Sequence, residues 1–375
     1  MKQFKTKISI LLGTCLFAFL ATGQTNTFNY SGAIQTYIVP TGVAKIQITA
    51  VGAAGGTGIN ASFGNGGSGA SMQGIFDVTP GQALSVLVGG KGTDGADYVG
   101  GGGGGSFVWE TSTSTLLIAA GGGGGGGATD GGTAFIDGTD AVTTVNASNG
   151  NGFSDGAGFS GNGGAIPTSL SNGEPYASGG AGWNTNGNDG TDHGCTFTST
   201  GGLTPLNGGN GGSGGGNTDC AGGFGGGGGG NGRCGAVGGG GGGGYSGGGA
   251  GGEVISSNYN GGGGGGSFNT GALQVNLTSI GNDNGVVTIS AVAFVGINEI
   301  NAIQVALFPN PTTGKLTVSA TAAIQMIEIG SLTGQVVATY SETNSIDISE
   351  LINGVYIAKI TTVNNKTTVK RIVKK

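Results

Sequence analysis

The side chains able to do acid–base, nucleophilic or metal chemistry are few and scattered. His193 is the sole histidine and sits in Asn188-Asp189-Gly190-Thr191-Asp192-His193-Gly194-Cys195. A Cys–His pair acts as nucleophile and base when a third group orients the base. Two residues apart in a glycine loop, His193 and Cys195 have no evident third group, and a turn beside a disulfide is the simpler reading. Zinc needs more ligands than one histidine and three scattered cysteines readily supply. The series Asn184, Asn186, Asn188 resembles a calcium loop only loosely, because the glycine and terminal glutamate of such a loop are missing. Isolated aspartates in Gly/Asn-rich turns leave calcium as the one cofactor to consider, with solvated turns as the plainer reading. Lys91 is followed by Gly92 rather than Ser or Thr, so no phosphate-binding loop is formed. The expectation is a protein that is not an enzyme.

Of the four cysteines, Cys15 lies in the apolar run near the start, which reads as a cleaved leader; Cys195, Cys220 and Cys234 remain as an odd set in an exported chain. Three pairings are open. Cys220–Cys234 is favoured, because it closes a short glycine-rich loop and would stabilise by roughly 3 kcal/mol in the chain-entropy picture.

These residues hang on an unusual chain. Glycine supplies 93 of 375 residues, while charged residues make up only 9%. Proline is scarce and no Gly-X-Y period exists, which excludes collagen. Between Gln24 and Val305 there are three basic residues against fifteen acidic ones, a balance of −12. Such a region repels nucleic acid and anionic lipid.

The positioning elements centre on Gly100–Gly127. Six glycines lead into Ser106-Phe107-Val108-Trp109, and Leu116–Ala120 leads into seven more, Gly121–Gly127. Glu110–Thr115 reads as the turn of a β-hairpin. Gly-Gly-Ser-Phe recurs at 104–107 and 265–268, and Gly238–Gly244 ends in Tyr245. A flexible linker needs no aromatic at the end of each run; a packed domain does, to anchor glycine segments onto a core. Ile46/Ile48/Ala50 alternate with Gln47 and Thr49 as a half-buried strand does, and Leu84/Val86/Val88 and Val287/Ile289 each line one face.

Residues 1–23 read as a signal peptide: a basic start, the apolar run Ile8–Ala21, and small residues at Ala21 and Gly23 that place cleavage between Gly23 and Gln24. No other segment reads as transmembrane. Residues 24–293 form a glycine-rich β domain, 294–305 a linker, and 306–375 a small antiparallel sandwich with hairpin turns at Thr333-Gly334 and Asn353-Gly354.

Tyr37–Val43, Val78–Leu84, Leu117–Gly123 and Gly261–Phe268, taken in order, resemble the glycine-rich domain of anaplastic lymphoma kinase and leukocyte tyrosine kinase ectodomains, a pattern shared with bacterial glycine-rich secreted proteins. The resemblance spans about 26–293. It implies a β-sandwich carrying insertions packed as polyglycine-II helices, and in the receptors this domain helps to bind a protein ligand. No kinase domain or transmembrane helix accompanies it here, so receptor signalling does not carry over.

The tail carries Phe308-Pro309-Asn310-Pro311, Gly314, Gly334, Gly354, Tyr356, Lys370 and Lys374. It resembles the type A C-terminal sorting domain of the type IX secretion system of Bacteroidetes. That likeness implies transport across the outer membrane by the type IX machinery, removal of the tail by a sorting protease, and attachment to surface lipopolysaccharide. The whole reads as an all-β surface or secreted protein, an adhesin or matrix component. The alternative is a receptor-like module for a specific extracellular protein or glycan.

Overall fold

The computed structural model describes residues 25–58, 64–95, 99–129, 137–168, 176–191, 198–215, 220–232, 238–255, 258–292 and 305–375. The chain divides into two compact units, Met1–Phe294 and Val295–Lys375.

The first unit is a sandwich of two five-stranded antiparallel sheets. Its strands are β1 (Thr25–Asn29), β2 (Gln35–Ile38), β3 (Lys45–Val51), β4 (Gly69–Asp77), β5 (Ala83–Leu87), β6 (Ser106–Glu110), β7 (Leu116–Ala120), β8 (Ala128–Thr129), β9 (Glu253–Ile255), β10 (Asn258–Tyr259), β11 (Phe268–Asn269), β12 (Ala272–Gly281) and β13 (Val286–Ala291). One sheet runs β1-β13-β3-β4-β12 and the other β11-β7-β6-β5-β2, while β8, β10 and β9 form a small third sheet. Ile46, Ile48, Met72, Phe76, Val287 and Ile289 of the first sheet meet Tyr37, Leu84, Val86, Val108 and Ile118 of the second in one core. The hairpin expected at 106–120 forms, with β6 paired to β7.

The three inner strands of the second sheet, β5, β6 and β7, are buried on both faces, which is why they read as near-continuous apolar runs rather than alternating ones. Val108 points into the sandwich core. Phe107 and Trp109 point the other way, into a cluster with Leu87, Leu116, Ala119 and Phe224, against which Trp183, Tyr245 and Phe268 pack. The three aromatics that end glycine runs, Phe107, Tyr245 and Phe268, therefore meet in one place. Tyr245 and Phe268 stack with ring centroids 4.6 Å apart, and Trp183 lies edge-on to Trp109 at 5.7 Å.

The glycine runs pack beyond this cluster with a hydrogen-bond period of three. Gly100 and Gly103 donate to Gly126 and Gly123 (2.9 and 2.8 Å), Gly101 and Gly104 to Thr93 and Gly90 (3.1 and 2.9 Å), and Gly102 and Gly105 to Gly228 and Gly225 (both 2.9 Å). The run at 238–244 repeats the rule. Gly240 and Gly243 donate to Gly100 and Gly103, Gly241 and Gly244 to Ser178 and Ala181, and Gly239 and Gly242 to Asn260 and Gly263. A helix with three residues per turn and no internal hydrogen bonds turns successive N–H groups toward three different neighbours. This is the packing of polyglycine-II helices, the arrangement that the resemblance to the receptor glycine-rich domains implied. Backbone pairing here replaces side-chain burial as the main cohesion.

The neighbours leave no room for a side chain. A Cβ on Gly102 would lie 2.0 Å from the Gly241 carbonyl oxygen, one on Gly124 2.0 Å from that of Gly262, and one on Gly242 2.1 Å from that of Gly122.

Serines finish the runs. Ser267 Oγ accepts from Gly121 N–H at 3.0 Å and donates to the Val142 carbonyl at 2.7 Å. Ser106 Oγ accepts from Gly89 and donates to Val51 (2.9 and 2.6 Å), and Ser246 Oγ accepts from Gly161 and donates to Val145 (3.0 and 2.6 Å). All three serines are fully buried. Ser267→Ala leaves the Gly121 N–H without its acceptor, which costs about 1–3 kcal/mol. Both tryptophans, Trp109 and Trp183, sit in the aromatic cluster, so denaturant unfolding followed by tryptophan fluorescence reads this loss in the first unit alone.

The second unit contains β14 (Val305–Phe308), β15 (Lys315–Ala320), β16 (Ile324–Ser331), β17 (Val336–Ser341), β18 (Ser345–Asp347), β19 (Gly354–Thr362) and β20 (Thr367–Lys374). Sheets ordered β14-β15-β18 and β17-β16-β19-β20 enclose Leu316, Val318, Ile327, Ile329, Ile346, Ile360 and Ile372, among others. The turn at Thr333-Gly334 joins the hairpin β16–β17, with Gly334 at φ +86° and its N–H donating to Ser331 at 3.0 Å. The second expected hairpin does not form. Asn353-Gly354 lies on the connection from β18 in one sheet to β19 in the other, and β19 pairs with β16 and β20.

Candidate functional site

The scattered acids have a structural occupation. Asp137 Oδ1 accepts from Asn65 N–H and Asp140 Oδ1 from Ser68 N–H, both at 2.7 Å, so two carboxylates three residues apart cap two donors three residues apart. Asp94 Oδ1 takes the Thr57 N–H at 2.8 Å, and Asp189 Oδ1 the Gly201 N–H at 2.9 Å. Amide oxygens do the same work at Asn149 and Asn284, which accept from Ala157 and Lys91 N–H groups, both at 2.8 Å. A threefold helix leaves donors on its outer side unpaired when it borders solvent, and these side chains satisfy them as caps do on other helices.

The residues weighed for chemistry separate accordingly. Asn184 Nδ2 donates to the Ser160 carbonyl at 3.1 Å, Asn186 Oδ1 accepts from Thr204 N–H at 2.9 Å, and Asn188 N–H donates to the Gly164 carbonyl at 2.9 Å. Asn184 and Asn188 thus bond to one neighbouring segment, 160–164, and Asn186 bonds to another. Lys91 Nζ pairs with Asp94 at 3.0 Å. Among the described residues no three of His, Cys, Asp and Glu come together as a metal site. Cys220 is buried. His193, Cys195, Cys234, the cleavage point Gly23–Gln24 and residues 294–304 of the expected linker 294–305 lie outside the described residues, while Val305, the last of that linker, is instead the first residue of β14.

In the second unit the residues of the tail motif knit its beginning to its end. Asn310 Nδ2 donates to the Arg371 carbonyl at 2.7 Å, and its Oδ1 accepts from Val373 N–H at 2.9 Å. Thr312 N–H donates to Val373, Lys375 N–H donates back to Thr312, both at 2.9 Å, and Thr312 Oγ1 donates to the Lys315 carbonyl at 2.9 Å. Asn310 and Thr312 thereby tie the start of the tail to the open edge of β20. Gly314 passes so close to Ser349 that a Cβ would lie 2.1 Å from Ser349 Oγ. Tyr356 is buried, with its hydroxyl donating to the Ile352 carbonyl at 2.8 Å. Lys374 is also buried, its Nζ 3.4 Å from Asn353 Oδ1 and 3.3 Å from the Lys375 carbonyl. Lys370 and Arg371 stay exposed on the edge strand β20, where charge discourages pairing with another sheet. The Ser349 hydroxyl and backbone N–H, both donating to Asp347, hold its carboxyl below the usual aspartate range. Of these contacts, those of Thr312 and Ser349 were not legible, because neither residue's type distinguishes it from the many other Ser and Thr in the chain.

One surface of the first unit stands apart from the caps. On the outer face of the sheet β1-β13-β3-β4-β12, the register lines up ranks across all five strands. The central rank is Thr27, Thr288, Thr49, Gln73 and Val275. Thr25, Ser290, Gln47, Ile75 and Ala272 flank it on one side, and Asn29, Val286, Val51, Ser71 and Leu277 on the other. Apart from Ser71, which is buried, these side chains are exposed or half-buried.

Together the elements define an all-β protein: a glycine-bundle sandwich followed by a small sandwich whose first and last strands are stitched by the tail motif. Residues 306–375 match the family described as the secretion system C-terminal sorting domain. The tail therefore marks a protein handed to the type IX secretion machinery for the cell surface or the extracellular space. A comparison with curated proteins found no match to the chain. Among the described residues no helix is long and apolar enough to cross a membrane.

Proposed function

We propose that this protein is a non-enzymatic adhesive or structural module of the cell surface, delivered by the type IX route and released from its tail by a sorting protease. The observation that carries the reading is the use of the acids. Asp94, Asp137, Asp140 and Asp189 each spend a carboxylate oxygen on a backbone N–H of the glycine-rich loops. General acid–base catalysis needs titratable groups held together with shifted pKa values; Asp137 and Asp140 are committed to backbone donors at Asn65 and Ser68, and Asp94 and Asp189 to others at Thr57 and Gly201. A bundle held by backbone hydrogen bonds is a stiff scaffold on which many weak contacts add up when copies crowd a surface.

Attachment of the released protein to surface lipopolysaccharide belongs to the same reading. The likeness of residues 26–293 to the receptor glycine-rich domains rests on the motifs quoted above and supports a second reading, a module that binds one extracellular partner. The test compares cells with and without the gene for attachment to solid surfaces, beside binding by the purified protein. Loss of attachment on deletion is the expected result. Unchanged attachment, together with tight one-to-one binding of a soluble ligand, favours the second reading. Turnover of a substrate abolished by His193→Ala or Cys195→Ala overturns the non-enzymatic claim.

A further inference from the structure

The outer face of the five-stranded sheet lies away from the sandwich core, and its side chains are largely polar and uncharged. None of the fifteen side chains in its three ranks is charged. Beyond the last rank lie Lys45 and Asp77, and these two pair with each other. Nine of the fifteen are Thr, Ser, Asn or Gln. The central rank carries three threonines side by side on β1, β13 and β3, and Thr49 Oγ1 donates to Gln73 Oε1 at 3.2 Å. Strands lie about 4.8 Å apart and alternate residues about 6.8 Å apart along each strand, so the face presents a regular grid of hydroxyl and amide groups. Along one margin runs β12, an uncharged edge strand with Leu273 79% exposed and Val275, Leu277 and Ile280 each 49% exposed.

From this grid and its aliphatic margin we infer that the face binds a neutral, β-linked polysaccharide. Hydroxyl and amide side chains both donate and accept, as sugar hydroxyls do. The aliphatic margin suits the C–H faces of pyranose rings. With its one lysine and one aspartate paired to each other at the margin, the face offers no net charge to attract a polyanion or polycation, and its three ranks bury no unpaired charge against an uncharged ligand. A second copy of the chain is a poorer occupant, because the cores of protein interfaces are enriched in aromatic residues, Met and Arg, and this face has none. Five strands in a row span about 19 Å, which suits a polymer touching many side chains weakly rather than a small ligand in a pocket. The inference rests on the adhesive reading above and names the substance to which the protein adheres.

The test measures retention of the purified full chain on microcrystalline cellulose, with alginate beads as the anionic comparison. Thr49→Arg and Thr288→Arg place charge and bulk in the central rank, and Ser112→Arg at the tip of the β6–β7 hairpin is the control. Unchanged unfolding midpoints establish that the variants are folded; if Thr49→Arg is not, Thr288→Arg and Thr27→Arg carry the test. Expected are retention on cellulose that is insensitive to salt, a loss of at least tenfold in both central-rank variants, and no loss in the control. No retention on cellulose, retention unaffected by Thr49→Arg, or retention on alginate that salt abolishes would each overturn the assignment. So would a dimer in sedimentation that Thr49→Arg dissociates, which would give the face to a second copy. Cells carrying Thr49→Arg separate this inference from the adhesive reading. If they attach normally while gene-deleted cells do not, the face is wrong and the adhesive reading stands.

Discussion

Gly242→Ala is expected to unfold the first unit under conditions where the parent is stable. The added methyl would sit 2.1 Å from the Gly122 carbonyl oxygen, and a second carbonyl, that of Gly123, lies 2.9 Å away. Neither is the movable end of a side chain. Gly122 donates to Gly243 at 2.8 Å and Gly123 to Ala53 at 2.9 Å, so making room means separating bonded chains. Overpacking an ordinary core costs about 1–3 kcal/mol, occasionally more. Here the displaced atoms are backbone on several sides, and a loss of at least about 3 kcal/mol is expected, a large part of a typical domain's stability. Ala181→Gly is the contrast. Its methyl is already accommodated and buried, and removing it costs about 1 kcal/mol through added chain freedom. Denaturant titration with tryptophan fluorescence measures both. An unchanged midpoint for Gly242→Ala would mean that the bundle is looser than this packing.

Deleting Gly354–Lys375 is expected to stop delivery to the surface completely. The deletion removes β19 and β20, and with them Tyr356, Ala358, Ile360 and Ile372 from the core of the second unit. It strips Asn310 of both its backbone partners, at Arg371 and Val373, and Thr312 of its bonds with Val373 and Lys375. The signature at the start of the tail and the strand at its end are one structure, so losing either should remove what the secretion machinery reads. Cell fractionation would then find the protein in the periplasm and surface proteolysis would find none outside. A milder change, Asn310→Ala, loses two hydrogen bonds, and about 1–3 kcal/mol of stability with them. Normal surface display of the truncated chain would contradict the sorting role.

Much of this architecture is legible in the sequence where the signal is local. Alternation at Ile46/Ile48/Ala50 and Val287/Ile289 gives strands with fully buried inner faces. Phe107, Tyr245 and Phe268 at the ends of glycine runs identify those runs as packed. What escapes is whatever depends on partners far along the chain. Asp137 and Asp140 look like turn residues until their donors, 72 positions away, come into view. Asn353-Gly354 carries a strong hairpin signal, but a dipeptide cannot say which sheet the next strand joins, and β19 joins the other one. The uncharged grid arises in the same way. Thr27, Thr49 and Thr288 are unremarked threonines in three separate strands until register sets them in one rank.

Hydrogen exchange of the glycine amides tests most directly whether this protein presents a folded glycine bundle. Gly102, Gly103, Gly125, Gly242 and Gly243 donate to carbonyls 2.8–2.9 Å away in buried surroundings, and such amides exchange only through opening of the structure. The expected result is protection of the runs at 100–105, 121–127 and 238–244 comparable to that of Ile48 and Val108 in the sandwich core. Exchange of those runs at the rate of an unstructured peptide, with the sandwich strands still protected, would contradict it.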